Sequence, residues 1–327
     1  MSAFRLVIRA PNWIGDVVLS LPALRDVRRN LPEARIEVLA RAWVKDLYAA
    51  VSEIDAVREA RGFRETVETL RDSFDAALLL TNSFRSALEV FMARIPERWG
   101  YASDGRGPLL TRRARVPLGV RGKSEVYYYR AMLAGIGLRT SDALDASLRP
   151  LPEWAERGRA LLGDDGARWV GLNPGAFFGS AKRWIPERYA AVGEMLSRRS
   201  GVRVAILGGA VERPLAHAIA EGMSTRPRVL CGETSLPDLV GVLSRLSLLV
   251  TNDSGPMHLA AATGVPLVAV FGPTDWRETA AWTERQRLLR EPVACSPCKL
   301  RECPIDHRCM SLVSTERVAA AALELLH

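Results

Sequence analysis

Asp16 ends a short polar turn, residues 10–16 (APNWIGD), and a carboxylate in such a place has two uses. Facing a substrate hydroxyl it can serve as a general base, and at a helix start it can simply cap the first turn. Both readings stand on this stretch alone. Gly15 suits a tight turn, Asn12 and Trp13 complete the loop, and no G-x-G-x-x-G is present to seat a dinucleotide pyrophosphate. A second stretch, residues 173–184 (NPGAFFGSAKRW), carries glycines at 175 and 179 ahead of Lys182 and Arg183. Glycines let backbone amides approach an oxyanion and the two cations can pair with it, whereas a Lys-Arg pair elsewhere is usually a solvated surface feature.

The third stretch has the most chemistry in the fewest residues. In residues 249–258 (LVTNDSGPMH) an apolar run breaks at Asn252 and Asp253 into Ser254, Gly255, Pro256, Met257 and His258. A strand that turns straight into a helix aims free amides and the positive end of the helix dipole at one point, which is an anion site. Asp253 and Ser254 as caps, and His258 as a helix histidine, are the plainer uses. A fourth group is Cys295-x2-Cys298-x4-Cys303-x5-Cys309 with His307 inside it. Such thiols could ligate a structural metal or remain reduced or redox-active, and the spacing is not that of a paired zinc ribbon. Cys231, alone in an apolar run, reads as core.

These stretches need elements to position them. Short, mostly apolar runs at residues 4–9, 35–40 and 75–80, with helical periodicity at 17–30, begin a β-α series. A second series has strands at 169–173, 203–208, 228–231, 248–251 and 267–271, alternating with helices at 187–199, 213–224, 236–246 and 256–263. Strands rich in Val, Leu and Ile between helices mean parallel sheets covered on both faces. The expectation is α/β, with two doubly wound domains facing across a cleft, 1–150 and 151–327. The break falls at the Arg-Pro-Leu-Pro of residues 149–152, and the final helix, 315–326, is a candidate to cross back onto the first domain. Ligand loops in such sheets lie at the carboxyl ends of strands, where the first three stretches sit.

Composition agrees with an ordinary globular protein: 327 residues, 48% hydrophobic and 25% charged. The net charge of +8 favours anionic partners, with basic residues gathered at Arg112, Arg113, Arg115, Arg121 and Lys123 in an expected loop. No signal-peptide pattern and no apolar run near the ~20 residues of a membrane span is apparent, so the chain is expected to stay in the cytosol.

The ordered set RLVIRAPNWIGDVVLSLPAL, NPGAFFGSAKRWIPERYAAV, GETSL, TNDSGPMHLAAATGVPLVAVFGPT and the late cysteines resembles the ADP-heptose:lipopolysaccharide heptosyltransferases, above all their heptosyltransferase II branch. The resemblance runs from residue 5 to about 318. It implies a glycosyltransferase of the GT-B type, two Rossmann-like domains, with the acceptor on the N-terminal one and the ADP-sugar on the C-terminal one. By similarity Asp16 is the base, Asn12, Trp13 and Gly15 form the acceptor-side loop, and Lys182, Arg183 and residues 254–258 hold the donor diphosphate. Glu233 and Asp253 are implied nucleoside contacts, Glu233 as a ribose contact. Phe177 departs from the polar or acidic residue expected there. The implied reaction is inverting transfer of heptose from ADP-L-glycero-D-manno-heptose to the inner core of lipopolysaccharide, heptosyl-Kdo2-lipid A. It needs no cofactor and no nucleic acid, at the inner face of the cytoplasmic membrane. Two alternatives on the same fold are a nucleotide-sugar epimerase and a non-catalytic sugar-nucleotide-binding protein.

Overall fold

The computed structural model describes residues 3–163 and 165–327. Contacts divide the chain into two units, Met1–Ala146 and Ser147–His327. The Leu148 amide donates to the Ala262 carbonyl at 2.8 Å, so the residues just before 150 already belong to the second unit.

In the first unit the strands are β1 (Arg5–Arg9), β2 (Arg35–Ala40), β3 (Ala56–Glu59), β4 (Ala76–Leu79), β5 (Glu97–Tyr101) and β6 (Arg112–Ala114). The helices are α1 (Ile14–Asn30), α2 (Phe63–Leu70), α3 (Phe84–Met92) and α4 (Glu125–Gly135). All strands pair in parallel, in the order β3-β2-β1-β4-β5-β6. The central strands are apolar because helices cover both faces: Leu6, Val7, Ile8 and residues 76–79 are buried. α1 buries the expected Val17, Val18, Leu21, Leu24 and Val27 and also Leu19, Ser20, Pro22, Ala23 and Asp26, so it is enclosed on more than one face.

The second unit holds α5 (Pro152–Leu162), β7 (Trp169–Asn173), α6 (Pro186–Ser200), β8 (Arg203–Ile206), α7 (Arg213–Glu221), β9 (Arg228–Val229), α8 (Leu236–Leu243) and β10 (Leu246–Asn252). It continues with α9 (Gly255–Ala262), β11 (Leu267–Phe271), α10 (Trp276–Thr279), β12 (Gln286–Arg290), α11 (Arg308–Ser311) and α12 (Thr315–Leu326). Its parallel sheet runs β12-β11-β10-β7-β8-β9. Renumbered within the unit, this is the first sheet's order again. In each sheet the first and fourth strands are neighbours whose following chains lead away in opposite directions. That is the topological switch point where doubly wound sheets bind ligands.

Two expectations change here. The final helix belongs to the core of its own unit. α12 packs on α6 and on β10, β11 and β12, with Val318, Ala319, Ala322 and Leu326 in the second unit's core. The basic stretch 112–123 is not wholly a loop, because Arg112–Ala114 forms the edge strand β6, anchored by buried Ala114. Arg112 lies 3.5 Å from Glu97 and 4.6 Å from the Trp99 ring centroid, so a strand partner occupies its charge. Among the described residues no helix is long and apolar enough to cross a membrane.

Candidate active site

The loop after β1 occupies the switch point of the first sheet. Its N-terminal anchor is Arg9, a charged residue at the end of an apolar strand and nearly enclosed. The guanidinium donates to the carbonyl of Ala10 at 2.7 Å and to Asn12 Oδ1 at 3.1 Å. Burial lowers its pKa to about 10, which still leaves it cationic at neutral pH. From the other side the Trp43 indole N–H donates to the Asn12 carbonyl at 2.7 Å. Asn12 is therefore held by both a buried arginine and a tryptophan from the loop after β2.

The helix then begins earlier than the sequence suggested. Trp13 is the residue before the first turn, so Asp16 is the third residue of α1 and not its cap, and Gly15 lies inside the helix instead of making a turn. The apolar periodicity starts only at Val17, which hid the first turn. Asp16 is half-buried, at the positive end of the α1 dipole. Its charge acts on two enclosed phenols, Tyr48 and Tyr129: burial pushes both up first, Asp16 adds to the rise in Tyr129, and in Tyr48 Arg9 opposes it more than Asp16 adds. The Tyr48 hydroxyl has no hydrogen-bond partner.

In the second unit the loops after β7 and β10 meet at the other switch point. Asn173, the last residue of β7, donates to Thr251 Oγ1 at 3.1 Å and to Ser254 Oγ at 3.0 Å. Asn252, the last residue of β10, donates to the carbonyls of Pro174 and Gly175 and accepts from the Trp184 amide at 3.0 Å and the Tyr189 hydroxyl at 2.9 Å. These bonds lace the two loops together. Ser254 precedes α9 without capping it, so its hydroxyl and the helix amides share one end of the sheet. Pro256 has no N–H to leave unsatisfied, and the remaining first-turn amides lack intrahelical acceptors.

Lys182 reaches this place from a short turn at residues 180–182, its ammonium 2.7 Å from Asp253 Oδ2. Both side chains are largely buried. Asp253 Oδ2 also accepts from Thr274 at 2.6 Å and Thr279 at 3.3 Å, so this carboxylate orients the lysine. A lysine has three N–H donors, and one bond to Asp253 leaves others for a ligand. Arg183 makes no side-chain ion pair among the described residues, and its Nε is buried without a partner. His258 is enclosed and neutral, its pKa pushed down to about 4 mainly by burial, which Asp253 opposes and Lys182 reinforces. Met257 is core.

The loop glycines serve packing. A Cβ at Gly175 would stand 1.7 Å from Glu212 Oε1, and one at Gly179 would stand 2.2 Å from the Arg301 carbonyl. At both positions a side chain would collide with neighbouring chain atoms, so only glycine fits. The cysteine-bearing segment closes over the same loop: the Ala181 amide donates to the Arg301 carbonyl at 3.0 Å, and the His307 ring lies 2.8 Å from the Ala181 carbonyl. Phe178 is flanked by Lys182 and Arg301. All five cysteines are free, and burial with the facing Cys295, Cys303 and Cys298 pushes Cys309 up to about 11. Among the described residues no three His, Cys, Asp or Glu side chains are placed to hold a metal, so the expectation of a metal on Cys295, Cys298, Cys303 and Cys309 has no geometry behind it. Their segment instead braces the Lys182 loop.

Glu233 is exposed in the turn after the edge strand β9, two strands from β7. Phe177 is exposed. Sequence reasoning missed Arg9, Trp43 and Glu212. Arg9 carried a signal, a lone charge ending an apolar strand; Trp43 and Glu212 depend on contacts between distant loops.

Comparison with known proteins is consistent along the whole chain. Lipopolysaccharide heptosyltransferase 2 of Salmonella typhimurium is 32% identical over 311 residues, 88% of each chain. Lipooligosaccharide heptosyltransferase 2 of Haemophilus influenzae is 30% identical, covering 87% of this chain and 88% of that one. The solved structure of Escherichia coli ADP-heptose LPS heptosyltransferase II superposes with a TM-score of 0.86 at 28% identity, covering 99% of this chain and 98% of that one. With two Rossmann-like units of the GT-B type and a family match over residues 63–308, the chain belongs to glycosyltransferase family 9 (heptosyltransferase) and is a glycosyltransferase.

Proposed function

We propose that this enzyme transfers heptose from ADP-L-glycero-D-manno-heptose to the inner core of lipopolysaccharide, heptosyl-Kdo2-lipid A, with inversion at the anomeric carbon. The names of its relatives support heptose, ADP and the lipo(poly)saccharide acceptor. The observation that supports the reading is the junction of two loops at the second switch point, where Asp253 holds Lys182 and Asn173 bonds Ser254 at the start of α9. In this reading domain 151–327 takes the donor and domain 1–150 the acceptor.

The chemistry follows from the charges. Asp16 takes the proton of the acceptor hydroxyl, whose oxygen attacks the anomeric carbon as the bond from that carbon to the β-phosphate oxygen breaks. ADP departs with the bonding electrons. Lys182, aimed by Asp253, and the free first-turn amides of α9 stabilise the growing phosphate charge, with Arg183 as a further cation. A single displacement by this route inverts configuration. Glu233 is assigned to the ribose, while Asp253 acts through Lys182. Neutral His258 supplies enclosure and no charge.

The acceptor is a lipid headgroup, so the enzyme works as a peripheral protein at the inner face of the cytoplasmic membrane. Arg115, Leu118, Arg121 and Lys123 are exposed together in the chain after β6 and suit an anionic surface. The test is incubation with ADP-heptose and truncated inner-core acceptors. One heptose of added mass, with opposite anomeric configuration by NMR, is the expected product. A free isomerised ADP-sugar, or ADP-sugar binding without turnover, would overturn the assignment.

A further inference from the structure

Between Arg290, the end of β12, and Arg308, the start of α11, the chain forms no helix or strand and is held by single contacts. Two sets of these contacts lead to the Lys182–Asp253 pair. In the first, Ser296 Oγ donates to the Gly272 carbonyl at 2.6 Å and the Lys299 amide donates to the Pro273 carbonyl at 2.7 Å. The residue after Pro273 is Thr274, whose hydroxyl donates to Asp253 Oδ2, the same atom that holds the Lys182 ammonium. In the second, the Arg301 carbonyl accepts from the amide of Ala181, the neighbour of Lys182. The irregular segment therefore steadies both partners of that pair.

The four cysteines of this region are not equivalent. Cys309 is buried against Gly272, where a Cβ would lie 3.0 Å from its Sγ, and with its pKa pushed up to about 11, chiefly by burial, it stays a protonated thiol and a poor nucleophile. Cys303 is half-buried, its sulfur accepting from the His307 amide at 3.2 Å. Cys295 and Cys298 are exposed, so neither contributes to a core, and small reagents reach both. They stand on either side of Ser296, and Cys298 directly precedes Lys299, the two residues that hold the loop after β11.

We propose that Cys295 and Cys298 form a thiol–disulfide exchange site, with a low-molecular-weight disulfide as oxidant, and that closing their bridge loosens the hold on Asp253 and Lys182. The thiolate of one cysteine attacks the small disulfide, bonds to one of its sulfurs and releases the other as a thiol. The second cysteine's thiolate then attacks the mixed disulfide, forming the Cys295–Cys298 bond and releasing the second thiol. Two protons and two electrons pass from the protein to the small disulfide, which leaves as two thiols. A bridge needs Cα atoms within about 7 Å of each other, so it dictates the path of Ser296 and Pro297 between them and the direction in which Lys299 leaves. The bonds to Gly272 and Pro273 then compete with the bridge, and Thr274 moves with them. The effect on the donor rests on Lys182 as the phosphate contact of the proposed reaction; the exchange itself does not.

The test treats the fully reduced enzyme with glutathione disulfide and reads intact mass, peptide map and ADP affinity by isothermal titration. The expected product has lost two hydrogens, maps to a Cys295–Cys298 bridge and binds ADP about 10-fold more weakly, the scale of one disturbed charged contact. Dithiothreitol should restore both mass and affinity, a reversal that needs no variant. The double variant Cys295→Ser, Cys298→Ser should bind ADP within about twofold of the reduced wild type, with or without glutathione disulfide. A glutathione adduct that persists without bridging, a bridge between other cysteines, or a bound metal that keeps these thiols unreactive would overturn the exchange site. A Cys295–Cys298 bridge at unchanged ADP affinity would overturn the coupling, as would a double variant that loses affinity when treated. Reduced wild type failing to bind ADP would instead overturn the donor assignment.

Discussion

Lys182 and Asp253 make the second unit's site a poised one. The ammonium is already in place against a buried carboxylate, so in the proposed reading a donor phosphate meets a fixed cation and little side-chain ordering is left to do. Lys182→Ala should therefore weaken ADP by about 10-fold or more and reduce turnover further, because it also leaves Asp253 enclosed without its cation. Isothermal titration with ADP beside steady-state kinetics checks both, and equal ADP affinity in the two proteins would remove Lys182 from the phosphate site. His258 gives a prediction of a different kind. Its folded pKa of about 4 lies below the ordinary 6.5, so between these values the unfolded chain binds a proton that the native state does not. Stability is lost as pH falls from 6.5 toward 4, by on the order of 3 kcal/mol from this group. Urea unfolding of wild type and His258→Gln across that window should show the steeper decline in wild type.

At the scale of elements, legibility followed burial. Residues 35–40, 169–173 and 267–271 were read with their observed ends because helices on both faces leave mostly apolar runs, broken in 35–40 only by Arg35 and Glu37. β3, β6 and β12 were not read, since each is an edge strand whose sequence, AVRE, RRA or QRLLR, mixes charge with few apolar residues. β5, ERWGY, lies next to an edge and was hidden in the same way. The site loops were legible because each sits at the end of a readable strand. Their internal bonds were not, because Asn173 meets Ser254 and Trp43 meets Asn12 only after the sheets assemble. Helix packing carries its own test. α5 and α8 approach so closely that a Cβ at Gly158 would lie 2.2 Å from the Gly241 carbonyl carbon, a backbone atom unable to swing aside. Gly158→Ala should destabilise by about 3 kcal/mol, at the upper end for overpacking, seen as a lower urea midpoint with little change in slope. A midpoint equal to wild type would show that the helices separate freely.

For the molecule as a whole, one topology is used twice, and the proposed reading divides the labour between the two sheets, with the base on one and the phosphate site on the other. The net charge of +8 suits the proposed work at an anionic surface. Binding to anionic vesicles should weaken with salt and fall when Arg115, Arg121 and Lys123 are reversed, each worth ~1 kcal/mol near the surface. Reversal of Arg112 should matter less, since Glu97 and Trp99 already engage it. Sedimentation unchanged in the triple variant at low salt would leave that segment a solvated loop.

The proposed mechanism is directly testable, because Asp16 and Lys182 belong to different units. The decisive measurement is kcat for heptose transfer by Asp16→Asn, taken with its ADP affinity. A general base contributes about 10²–10⁴-fold, so kcat should fall by 10²-fold or more while ADP binds within twofold of wild type. Near-normal turnover by the folded variant would contradict the account and leave Asp16 as a first-turn carboxylate that only steadies α1.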